Sequence, residues 1–173
     1  MHVTLEADQK TQTMTATAKM GGPGVSGTAK FTEYDVDGWK YVHLHLSLKG
    51  DPEILQPGKH AVHIHEKAAC DCEGFKCAGG HFDPGPSGNT DADANHGFHA
   101  GDLPMITINE SGEGELEAIT TRVTLSSGPV SIIDQPEGTS LMVHGHLDPY
   151  TPGESGSGHS GGPRLACGTI ERD

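Results

Sequence analysis

The sequence predicts an all-β fold. Apolar and polar residues alternate with period two in several separate stretches, Gly and Pro punctuate the chain, and no segment carries a convincing helical period. With Gly 25 and Pro 11 in 173 residues, turns are frequent without reaching low-complexity disorder. That length fits a single domain with a real core, although only 33% of residues are hydrophobic.

Residues 13–19 (TMTATAK), 25–31 and 39–48 (WKYVHLHLSL) show the clearest alternation, as half-buried strands do. Asp35-Val36-Asp37-Gly38 separates the second and third with hairpin-turn chemistry. Residues 61–65, 105–109, 114–120, 140–144 and 165–170 complete about eight strands. Residues 66–101 and 148–163 read instead as long loops, which are uncommon in a compact domain unless they carry function. Residues 1–12 read as an N-terminal tail or extra edge strand, and 13–173 as one domain.

A formal net charge of −13 argues against partners such as nucleic acid or an anionic membrane surface. It also means that an anionic substrate would need a local attraction. No apolar run is long enough for a transmembrane helix. The start, Met1-His2-Val3-Thr4, shows no signal-peptide pattern, which says little about compartment. Four cysteines (Cys70, Cys72, Cys77, Cys167) are compatible with two disulfides or with a metal site.

The histidines carry most of the chemical information. His63 and His65 lie on one strand, and alternation sends both imidazoles to the same face. His81, His96, His99 and Asp102 follow in the long loop, and His144 ends a later strand. Seven candidate donors exceed what one tetrahedral zinc needs, so two metals are the economical reading. Four imidazoles suit Cu(II); three with a carboxylate suit Zn(II). His43, His45 and His60 read as hydrogen-bonded core or surface residues.

These residues also carry a resemblance. His63-Ile64-His65-Glu66, the run from Ala78 through His81 to Pro84, the run from His99 through Asp102 to Pro104, Val143-His144, and Pro163-Arg164-Leu165-Ala166-Cys167-Gly168 resemble, in order, the metal-loop motifs of copper–zinc superoxide dismutases of bacterial type. The similarity runs from about Val25 to the C-terminus. It implies a Greek-key, immunoglobulin-like β-sandwich or flattened barrel with two long functional loops. It further implies conversion of superoxide to O2 and hydrogen peroxide at a copper that is reduced and reoxidised in turn.

By that resemblance His63, His65, His81 and His144 are copper ligands, and His81, which bridges to zinc and exchanges a proton, also acts in catalysis. His81, His96, His99 and Asp102 are zinc ligands, and Asp148 is the carboxylate behind the ligand rings. Arg164 orients the anionic substrate, and Cys70 pairs with Cys167. Three features depart from the family pattern. The spacing from His96 to His99 is short. Cys72 and Cys77 are unusual, Cys77 standing where Ser is common; a second, local disulfide is expected, with free thiols as the alternative. The loop before Arg164 has Glu154 and His159 but no Lys, which puts lysine steering from that loop in doubt.

Other readings are a non-enzymatic relative serving as a metal-binding or structural module, a copper buffer suggested by the extra His43, His45, His146 and His159, and a zinc hydrolase. Neither a copper-side histidine nor the arginine is missing, as the first would favour, and a buffer has no need of a zinc site. A homodimer or monomer is expected. A disulfide points to the periplasm or cell exterior, with the cytosol left open because this family is an exception to that rule.

Overall fold

The computed structural model describes residues 10–85, 88–94 and 99–173. Three long antiparallel strands come first: β1 (Lys10–Gly22), β2 (Val25–Val36) and β3 (Trp39–Gly50). Alternation sorts their faces. Val42, Leu44, Leu46 and Leu48 are buried, while Tyr41, His43, His45 and Ser47 lie half-exposed on the opposite side. Turn chemistry fixes the register: Pro23 and then Gly24 (φ 72°) form the corner between β1 and β2. Between β2 and β3, Asp37 (φ 52°) and Gly38 (φ 87°) both take the positive φ that a two-residue type I′ turn demands.

The other strands are shorter: β4 (Gly58–His60), β5 (Val62–His65), β6 (Ile106–Ile108), β7 (Glu113–Thr120), β8 (Ser140–His144) and β9 (Arg164–Arg172). Seven strands make one curled antiparallel sheet in the order β5-β8-β9-β1-β2-β3-β7, and β4 pairs with β6. β4 runs into β5 across Ala61, and β6 runs into β7 through a turn capped by Asn109. The small sheet therefore joins the two ends of the large one into a flattened barrel. The strand unseen in the sequence is β4, whose three residues are too few to show a period. Among the described residues β1 runs from Lys10, with a register shift between Gln12 and Met14.

Among the described residues the helical content is one 3-10 segment, Glu73–Ala78, and no helix is long and apolar enough to cross a membrane. On its outer side β5 is met by bridges from His63 to Asp102 and from His65 to His81. Ile64 there donates to the Gly101 carbonyl and accepts from the Phe82 amide, both at 2.8 Å. The metal-loop segments thus lie along the outside of the strand that carries the first two histidines.

One buried carboxylate ties the barrel away from that site. Glu33 on β2 is fully buried and accepts from the Leu125 amide (2.7 Å), the Ser126 amide (3.0 Å) and Oγ (3.1 Å), and the Thr13 hydroxyl (2.7 Å). Burial alone would raise its pKa, but the bonds from Ser126, Thr13 and Leu125 outweigh that and hold it below the ordinary value. A depressed carboxylate contributes stability above its unfolded pKa and loses it as pH falls through the folded one. Glu33→Ala is therefore expected to destabilise the fold by about 1–3 kcal/mol near neutral pH. The difference from wild type should shrink on acidification below about pH 4.3, which urea unfolding at several pH values would measure.

Candidate metal centre

The β5–β8 ladder sets His63 opposite Met142 and His65 opposite Ser140, and ends beside His144. His81 reaches the same place from the long loop, opposite His65. All four imidazoles are buried, and one donor atom from each lies within 4.8 Å of the others.

The outer nitrogen of three rings is held from behind. His63 Nε2 donates to Asp148 Oδ2 at 2.7 Å, His65 Nδ1 to the Gly79 carbonyl at 3.0 Å, and His144 Nδ1 to the Gly162 carbonyl at 3.4 Å. Carbonyls and carboxylates only accept, so these contacts place each proton outward and each lone pair inward. His63 Nδ1 and His144 Nε2 then stand 3.0 Å apart, and His65 Nε2 and His144 Nε2 3.4 Å apart. Donors at about 2.0–2.1 Å from one ion are spaced by roughly 3 Å when they bind at right angles. An all-imidazole set with this spacing fits copper.

A second group adjoins it. His81 Nδ1 is 3.1 Å from both His99 Nδ1 and Asp102 Oδ1, and His99 Nδ1 is 3.4 Å from Asp102 Oδ2. This mixed nitrogen and oxygen set fits zinc, and His81 belongs to both groups. His96, the remaining expected zinc ligand, lies outside the described residues.

Electrostatics agree with metal-ready protonation states. Burial first, then the neighbouring His81, hold His144 down at about 3, and burial with His81 and His144 also lowers His65 well below its ordinary value. Burial works to raise Asp102, but its contacts with His81 and His99 prevail, so the carboxylate stays ionised.

Arg164 opens β9, and its guanidinium donates through Nη1 to the Phe75 carbonyl and through Nη2 to the Gly79 carbonyl, each at 2.7 Å. Gly79 therefore serves His65 and Arg164 with one oxygen. Its φ of 73° and the Glu66 side chain, 2.5 Å from where a Cβ would stand, require glycine there. Cys70 is bonded to Cys167 and Cys72 to Cys77.

The two long loops are fastened to each other by Asp93. Its carboxylate accepts from the Gly158 amide and the Ser160 amide, both at 3.0 Å, and its carbonyl accepts from the Gly153 amide at 2.7 Å. Nothing in the sequence singled out Asp93, because its partners are main-chain amides. Phe75, Gly79 and Gly162 escaped for the same reason: they act through carbonyls. Tyr150 was also missed; its amide donates to Asp148 Oδ1 at 2.8 Å and its hydroxyl to the Leu103 carbonyl at 2.9 Å.

The surplus histidines separate from this centre. His60 is buried, its ring nitrogens 2.7 Å from the His144 carbonyl and 2.6 Å from the Gln56 carbonyl. His43 and His45 lie on the outer face of β3, where His45 is 3.6 Å from Glu115. His146 is exposed, and so is His159, which contacts Thr151.

Two buried donor groups joined by one imidazole, on a Greek-key β-sandwich, define a protein built for a pair of metal ions. The family profile "Copper/zinc superoxide dismutase (SODC)" matches residues 25–170, and this chain belongs to that family. The family's metals are copper and zinc, and the two donor sets suit them. The chain is 36% identical over 157 residues to a Cu-Zn superoxide dismutase of Deinococcus radiodurans, covering 85% of this chain and 78% of that protein. A relative of the same name in Caulobacter vibrioides is 34% identical over 162 residues, covering 91% and 84%. Among solved structures, the clock protein EA4 aligns with a TM-score of 0.69 at 26% identity, covering 99% of both chains. A double mutant of a superoxide-dismutase-like protein from Bacillus subtilis aligns at 0.68 and 27%, covering 90% of this chain and 96% of that one.

The buried histidines make metal-free protein acid-sensitive. A histidine whose folded pKa is lowered to about 3 stays neutral in the fold while the unfolded chain takes up protons below about pH 6.5. Stability is therefore complete above that value and is lost as pH falls toward 3, by up to about 1.4 kcal/mol per pH unit for each such group. Thermal unfolding of apoprotein between pH 7 and 4 should show this slope, and His144→Gln should flatten it.

Proposed function

We propose that this chain catalyses dismutation of superoxide, two superoxide ions and two protons giving O2 and hydrogen peroxide. The observation that carries this reading is the convergence of four buried imidazoles beside an arginine held by two carbonyls. His63, His65, His81 and His144 would hold copper; His81, His99 and Asp102 would hold zinc, with His96 as the fourth zinc ligand. Bound there, copper supplies the one-electron chemistry.

The chain's own groups do the rest. Asp148 and the Gly79 and Gly162 carbonyls keep the ligand rings in one tautomer and orientation. His81 keeps Nδ1 toward the zinc group, which leaves Nε2 as the atom that takes up a proton and passes it to the reduced substrate. Arg164 supplies the local positive charge that a small anion needs in a protein of net charge −13.

The cleft at Arg164 holds a lysine that the loop before Arg164 lacks. Lys76, inside the Cys72–Cys77 loop, lines it together with Arg164, Asp91 and Asp93. We assign Lys76 as the outer attracting charge, opposed by the two carboxylates. Asp93 is occupied in fastening the loops, and Asp91 accepts from the Ser155 hydroxyl. The two disulfides fit an oxidising compartment, the periplasm or the cell exterior.

Pulse radiolysis of protein reconstituted with both metals tests the reading; catalysis absent at full copper occupancy would overturn it. Arg164→Ala should reduce the rate at low superoxide by at least about tenfold, as loss of a charged hydrogen-bonding group would, with copper content unchanged. Lys76→Gln should reduce it less, and that loss should fade as salt is added. His96→Ala should lower zinc retention in metal analysis while copper stays bound.

A further inference from the structure

The Cys72–Cys77 loop holds one of the two oxygens that fix Arg164. In it Gly74 (φ 64°, ψ 16°) and Phe75 (φ 55°, ψ 27°) are consecutive left-handed residues. Glycine takes that conformation freely, whereas phenylalanine does not, since its Cβ crowds the backbone there. Left to itself, Phe75 would relax toward the right-handed region and swing its carbonyl away from Arg164. The turn is closed by the Phe75 amide donating to the Cys72 carbonyl at 2.9 Å and by the bridge from Cys72 to Cys77, five residues on. Below it, the Phe75 side chain packs with Cys70 on Ala78, Met142 and Cys167.

We propose that the Cys72–Cys77 bridge is a positioning element for Arg164, which it aims at the copper group by locking the Phe75 carbonyl that accepts the guanidinium. The proposal rests on the reading of Arg164 as the anion-binding residue. The two disulfides thereby have different tasks. Cys70–Cys167 spans 97 residues and anchors the long loop to β9, with Cys167 buried. Cys72–Cys77 spans five, and Cys77 is exposed, so the outer bridge can be removed without opening the inner one. Arg164 would keep its bond to Gly79, which is also held from His65. The guanidinium would then pivot on Gly79 and lose its second fixed point.

The test uses holoenzyme and azide, a small monoanion whose binding to copper is read from the visible spectrum rather than from turnover. Four proteins are compared: wild type, Cys72→Ser with Cys77→Ser, Arg164→Ala, and all three changes together. Removing the bridge should weaken azide binding by about 3- to 10-fold, part of what loss of a charge-assisted hydrogen bond would give. Metal content should stay unchanged. In the Arg164→Ala background the same removal should change affinity by less than about 1.5-fold, because the two act as a unit. Equal weakening in both backgrounds would show a general loosening and overturn the proposal, as would no weakening in the wild-type background. If Arg164→Ala itself left azide binding unchanged, the reading of Arg164 would fail and the positioning role with it. Should the serine variant fold poorly, selective reduction and alkylation of Cys72 and Cys77, verified by mass, must give the same shift in affinity for the proposal to stand.

Discussion

Inward-facing lone pairs on buried imidazoles repel one another, and this protein holds several of them within 3.0–3.4 Å. That arrangement persists because each ring is gripped from its far side by an acceptor that fixes where the proton sits. The rings also hang from a rigid frame, since His63 and His65 sit on β5 and His144 ends β8, two strands of one ladder. The fold thus spends stability on a site that a bound cation would relax. In this sense the barrel is a scaffold for the electrostatics of its own interior.

Around that frame, the irregular chain is organised by backbone oxygens and amides. One carbonyl, Gly79, accepts from both the His65 ring and the Arg164 guanidinium, so the geometry of the two cannot vary independently. One carboxylate, Asp93, collects amides from the opposing loop and keeps the walls of the cleft together. Burial opposes the ionisation of Asp93, but the bonds from Ser160 and Gly158 prevail and leave it a strong acceptor. These contacts explain how long stretches rich in glycine acquire fixed positions without strands or helices.

How much of this could be read in advance depended on whether side chains or main chain carried the message. Alternation announced β3 because Val42, Leu44, Leu46 and Leu48 must face one way. It missed β4, whose Gly58–His60 is too short to establish a period. The donor side chains at His63, His65, His81, His99, Asp102 and His144 were legible because only a few residue types can bind these metals, and the structure brings them together. The oxygens of Phe75, Gly79 and Gly162 were not, since any residue carries the same carbonyl. Lys76 had a faint signal: it is the last lysine of the chain and lies between Cys72 and Cys77.

The bridges along the outside of β5 have a consequence beyond chemistry. A strand at the end of a sheet offers unpaired amides and carbonyls to any passing chain. Here that row is covered by residues around His81 and Asp102, the same segments that would embrace zinc. Peeling them back would expose Ile64 and its neighbours as a template for intermolecular pairing. The residues that could hold a second metal thus also close a strand edge that would otherwise be open to pairing.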